Sequence, residues 1–175
     1  MSKSKTVHVL AAVYPDREHA KVILDMLHEM HRAVRITLVD AALITADEHG
    51  KIKVEETEEL TVRKGARRGA IIAGVLGLIY PPSLIVSIVA GGGIGALAGR
   101  LRDTGIKTDR LEEVANQLTP GKAAIVALAD EASTLKVQEA LAGYEGTLVI
   151  EAFDEQTVKE LETAEELHRG SEAGA

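Results

Sequence analysis

The spacing of apolar and polar positions changes period several times along this chain, and each change predicts an element. Val7–Tyr14 is almost continuously apolar, which predicts a central strand buried on both faces. Pro15-Asp16 ends it and opens a helix, since proline and an acid suit a first helical turn. Along Asp16–Ala33 the apolar positions Ala20, Ile23, Leu24, Leu27 and Met30 follow helical spacing with one buried face. Ile36–Ala46 predicts a second strand, and Asp47-Glu48-His49-Gly50 a turn. Lys51–Glu55 alternates charged and apolar residues, the mark of a half-exposed edge strand.

Past residue 107 the same grammar resumes. Thr108-Asp109 caps a short helix with Leu111, Val114, Ala115 and Leu118 on its apolar side, and Pro120-Gly121 breaks it. Ala123–Ala129 predicts a strand, Ser133–Ala142 a short helix ended by Gly143, and Thr147–Phe153 the last strand. Val158, Leu161, Ala164 and Leu167 put a narrow apolar stripe on a charged terminal helix. Residues 1–5 and 170–175 are expected to be disordered tails. Thr37-Leu38-Val39 recurs as Thr147-Leu148-Val149, each followed by an in-strand acid, Asp40 or Glu151. This echo of strand–helix–strand units predicts an α+β fold, a ferredoxin-like sandwich with its body in residues 6–60 and 104–169.

Between the two halves the pattern breaks. Gly69–Gly99 holds no charged residue, and Pro81-Pro82 sits near its middle. The expectation is a pair of apolar helices folded back at the prolines, inserted over residues 61–103 in the second crossover. Small residues recur every fourth position in both arms: Gly65, Gly69, Ala73 and Gly77, then Ser83, Ser87, Gly91, Gly95 and Gly99. Such a ridge lets helix backbones approach closely. Each interior glycine costs a helix ~1 kcal/mol relative to alanine. Burying each of the aliphatic residues between them returns roughly 1.5–3 kcal/mol, so the hairpin is stable only if something covers it. Gly69–Tyr80 is 12 residues, about 18 Å of helix, against the ~20 residues a bilayer span requires. Association between copies, at a membrane or inside a soluble assembly, is therefore favoured over simple spanning.

Composition adds the compartment and the charge. The chain has 175 residues, is 46% apolar, only 2% aromatic, and has no cysteine, so neither disulfides nor thiolate metal sites arise. No hydrophobic run resembling a signal peptide follows Met1, which makes a cytoplasmic location, free or at the inner face of a membrane, the expectation. Net charge is −7, yet Arg63, Lys64, Arg67, Arg68, Arg100 and Arg102 cluster at the two feet of the hairpin. Feet of this sign suit anionic lipid on the cytoplasmic side. Alternatively, Glu55, Glu56, Glu58 and Glu59 neutralise them from within the chain.

The run Arg63-Lys64-Gly65-Ala66-Arg67-Arg68-Gly69-Ala70, the Pro81-Pro82 pair and the run Gly93–Ile106 together resemble a bacterial family of predicted membrane proteins, catalogued only as a domain of unknown function (number 1269). The resemblance covers most of residues 5–155. It implies no catalytic residues and no cofactor.

The remaining motifs point to no chemistry. Ile88–Gly99 has the outline of a dinucleotide fingerprint, but the acid-ended strand about 20 residues on is replaced by the polar helix near Thr108–Leu118. His28 and His31 lie three apart on a helix without a third ligand, with His28 expected to point outward and His31 at the border. His8 and Asp40 sit inside apolar strands and need partners there. Low aromatic content and an acidic balance argue against nucleic acid as a partner. The expectation is a non-enzymatic homo-oligomer built on the glycine ridge at the cytoplasmic face of a membrane, with a soluble closed homo-oligomer that buries the hairpins inside, or a small-molecule-binding enzyme using the sheet face, as alternatives.

Overall fold

The computed structural model describes residues 6–56, 76, 109–142, 148–153 and 159. In chain order these form β1 (Val7–Tyr14), α1 (Arg17–Arg32), β2 (Leu38–Ala46), β3 (Ile52–Glu56), α2 (Asp109–Gln117), β4 (Ala123–Asp130), α3 (Thr134–Leu141) and β5 (Leu148–Phe153). The fold is α+β. The strands make one antiparallel sheet in the order β3-β2-β4-β1-β5.

The order follows from two strand–helix–strand units. β1-α1-β2 leaves its two strands parallel with a gap between them, and β4 fills that gap, antiparallel to both. β4-α3-β5 does the same, with β1 in its gap. Each unit thus completes the other, and β3 adds an outer strand beside β2 through the hairpin at Asp47–Lys51. The repeated Thr-Leu-Val motif falls at matching places: Leu38 and Leu148 each begin the second strand of their unit. The glycine-rich stretch enters the chain between β3 and α2. It therefore joins the two units and does not interrupt the second crossover, which is α3 with its flanking turns.

One face of the sheet packs against α1 and α3. Leu10, Ala12, Tyr14, Leu38, Ala41, Leu43, Ala123, Ile125, Ala127 and Ala129 form its floor, and Ala20, Ile23, Leu24, Leu27, Val137 and Leu141 its cover. A β-bulge between Leu38 and Asp40 shifts the alternation of β2, so that Leu38, Ala41 and Leu43 all turn towards the helices. Tyr14 extends this core to its rim, where its hydroxyl donates to the carbonyl of Leu141 at 2.9 Å. Burial pushes that phenol well above the ordinary tyrosine range.

The opposite face is buried as well. Val7, Val9, Ala11, Val13, Ala42, Ile44, Ile52, Val54, Ala124, Val126 and Leu128 all have little or no exposed surface. α2 meets the sheet at β1 and β5. Its Val114, and Leu118 just past its end, are buried outside the α1–α3 core.

Two details fix α1. Asp16 caps its start, taking the His19 N–H on one carboxylate oxygen at 2.9 Å and meeting His19 Nδ1 with the other at 2.7 Å. At its end the Arg35 N–H donates to the Met30 carbonyl at 2.9 Å and the Val34 N–H to that of His31 at 3.0 Å. This closure needs a left-handed residue, and Val34 supplies it with φ 57°.

Candidate functional site

The ridge residues Gly65, Gly69, Ala73, Gly77, Ser83, Ser87, Gly91, Gly95 and Gly99, and the basic residues Arg63, Lys64, Arg67, Arg68, Arg100 and Arg102, lie outside the described residues. So do both tails. Leu76 is the one residue of the apolar stretch that is described: it is helical and only 1% exposed.

Within the body the charged groups that touch the story of those basic residues can be followed. Arg17, in the first turn of α1, grips Glu55 of β3 with two parallel bonds, Nε to Oε1 at 3.1 Å and Nη2 to Oε2 at 2.6 Å. This fork pins the outer strand to the helix across the sheet rim. The Arg17 guanidinium holds the Glu55 carboxyl below the usual carboxylate range, with Lys53 and Lys21 adding to the effect. One of the four acids available to neutralise the basic cluster is thus engaged elsewhere.

The histidines are arranged differently from the sequence expectation. His28 does not point outward; it is buried. The buried stripe of α1 runs Ala20, Ile23, Leu24, Leu27, His28, a strict three-and-four spacing that brings residue 28 in, while Met30 is only partly covered. His31 is half-buried and its Nδ1 accepts the Leu38 N–H at 3.1 Å, tying the end of α1 to the start of β2. His8 lies in the same row across the sheet, since both His8 and Leu38 register with Ala129. Its Nδ1 is buried and makes no hydrogen bond among the described residues. Asp40 sits at the bulge and accepts the Ala41 N–H at 2.8 Å.

Among the described residues no group of three or more histidines, aspartates or glutamates is placed to hold a metal ion. No described helix is long and apolar enough to cross a membrane. In β1, β2 and β4 both sets of alternating side chains are mostly buried.

The profile of a protein family of unknown function, DUF1269, matches residues 66–166, more than half of the chain. The chain belongs to this family. The DUF1269 match begins inside the basic cluster and runs through the apolar stretch, α2, β4, α3 and β5, so the family signature spans the glycine-rich insertion together with the second structural unit. No curated protein and no solved structure matches the chain.

Proposed function

We propose that this DUF1269 chain is a non-enzymatic, self-assembling protein: a ferredoxin-like α+β body that carries an inserted glycine-rich helical hairpin through which copies associate at the cytoplasmic face of a membrane. The observation that carries the proposal is the closure of the body. Along β1, β2 and β4 the side chains of both sheet faces are mostly buried. This gives little support to an enzyme working on an open face of those strands, and supports the uncharged, glycine-notched stretch as the part through which copies meet. The strand order β2-β4-β1-β5, with each unit split by a strand of the other, supports the ferredoxin-like reading, β3 being an addition. The Arg17–Glu55 fork supports a lipid-facing role for Arg63, Lys64, Arg67, Arg68, Arg100 and Arg102, because it withdraws one intramolecular counter-charge.

A second reading keeps the assembly but leaves out the membrane: a soluble closed oligomer with the hairpins inside. The length of the stretch favours it: Gly69–Tyr80 is 12 residues, short of the ~20 a bilayer span requires.

Native mass and partition onto anionic vesicles, measured on one detergent-free preparation, separate these readings. The membrane reading expects an oligomer that pellets with vesicles. The soluble reading expects a defined oligomer that stays in the supernatant. Gly95→Leu adds bulk to the ridge and is expected to lower the oligomer order while the body keeps its circular dichroism. A monomer in plain buffer that ignores vesicles overturns both.

A further inference from the structure

The outer strands of the sheet are drier on the second face than their described neighbours can make them. β3 turns its charged Lys53 and Glu55 to the side of α1, where Glu55 stands opposite Leu43 and meets Arg17. Its apolar Ile52 and Val54 turn the other way and are 1% and 6% exposed. Ile44, opposite Val54 on β2, is buried beside them. An antiparallel sheet commonly leaves such a second face in water.

The described helix on this side is α2, and it meets β1 and β5. In the order β3-β2-β4-β1-β5, β3 lies three strand spacings beyond β1, on the order of 14 Å. A helix with its side chains reaches roughly 5–6 Å from its axis. α2 therefore cannot bury Ile52 and Val54.

Leu76 presents the matching observation. It is helical and fully buried, yet it is not part of the core between the sheet and α1 and α3. In a single chain a leucine is that dry only where the same chain packs on it, and among the described residues the second face is the other apolar layer. Leu76 belongs to Gly69–Tyr80, which follows β3 in the chain and carries no charge. Seating it on an aliphatic face desolvates no ion.

We propose that the second face over β2 and β3 is the seat of the chain's own first apolar arm, residues 69–80, with Leu76 lying against Ile44, Ile52 and Val54. The proposal goes beyond the assembly reading: it names the surface of the body that holds the arm, whether or not copies associate.

Photo-crosslinking of the full chain tests it. A diazirine-bearing leucine analogue replaces Leu76, and an equal amount of ¹⁵N-labelled unmodified chain is present, so that a link between copies carries the heavier mass. Irradiation is expected to join position 76 to Ala42–Val54 of the same chain. A link to α1 or α3, a link to the Val158–Leu167 stripe, a link to the labelled chain, or a water adduct alone would each overturn the seat. A link to the labelled chain leaves assembly standing, and a same-chain link in a species of monomer mass leaves the seat standing without assembly, so the two readings fail separately. Ile52→Ala thins the seat without touching the arm. It is expected to quicken amide exchange at Leu76 about tenfold while the Leu24 amide of α1 keeps its rate. An unchanged rate at Leu76 would also overturn the proposal.

Discussion

The two faces of the sheet are equally dry but differently built. In the central strand β4 the α1–α3 face carries Ala123, Ile125, Ala127 and Ala129, a low floor onto which helices settle closely; Ala20 of α1 is fully buried there. The other face of the same strand carries Ala124, Val126 and Leu128, and its neighbours Val9, Val13, Ile44, Ile52 and Val54 are branched aliphatics. Over the first face lie two helices with matched apolar stripes. Over the second, the described cover is α2, nine residues that meet β1 and β5. The first face is closed by amphipathic elements and is therefore self-sufficient. How firmly the second is closed decides how much apolar surface the chain retains for other copies.

The sharpest way to break that comparison is a matched pair of truncations. Leu27→Ala opens a cavity under α1, and Leu128→Ala opens one on the opposite face; both side chains are fully buried. Each is expected to cost about 2–5 kcal/mol in a denaturant titration, the range for buried leucines that the surroundings only partly refill. Equal losses would mean that the free chain closes both faces alike. A loss at Leu128 of under about 1 kcal/mol would mean that the second cover lifts in solution, since an exposed leucine has little transfer energy to lose.

Much of the described body was legible because its elements obey one period each. Val7–Tyr14 and the strand after Pro120-Gly121 were readable as buried strands from continuous apolar runs, and the α+β class from the alternation of elements. Two things were not readable. The bulge between Leu38 and Asp40 reverses the alternation of β2, and a pattern of apolar residues on both sides of a strand carries no mark of where such a reversal falls. His28 is buried because the stripe is set by Ala20, Leu24 and Leu27, whereas Met30, though apolar, lies at its edge. A buried histidine at a stripe position carries the same letter as an exposed one, and only the phase of its neighbours distinguishes them. The candidate ridge and its basic feet were conspicuous in sequence, by small-residue spacing and missing charge, but the described residues include only Leu76 from that stretch.

A smaller effect sharpens the comparison from the cover side. The first face depends on α1 starting where it does, and Asp16 fixes that start. Asp16→Ala is expected to lower Tm by about 2–4 °C, the scale for losing a helix cap in a chain of this size. The pH dependence has a definite sign. The Asp16 carboxyl is held below its ordinary value, first by the His19 backbone N–H and then by the His19 side chain. A carboxyl with a lowered folded-state value stabilises above the ordinary aspartate range and loses that contribution as pH falls through the folded value. The gap between wild type and Asp16→Ala should therefore be full near neutrality and close in acid. A gap that is constant down to strongly acidic pH would show that the charge plays no part in the cap.

The smallest change concerns the other end of the same helix. Val34 occupies a position that the α1 terminus requires to be left-handed, and a Cβ there costs about 1–2 kcal/mol. Glycine removes that cost but adds freedom to the unfolded chain worth about 0.4–1 kcal/mol. Val34→Gly is thus expected to stabilise by about 0.5–1 kcal/mol, read as an upward shift of the denaturation midpoint with unchanged slope. Val34→Ala keeps the Cβ and the strain and trims only the exposed branch, so it should leave stability where it was. The pair tests more than backbone preference. If glycine destabilises while alanine does too, the valine side chain is packed against something in solution, and the end of α1 would join the second face of the sheet as a place where this chain meets a partner.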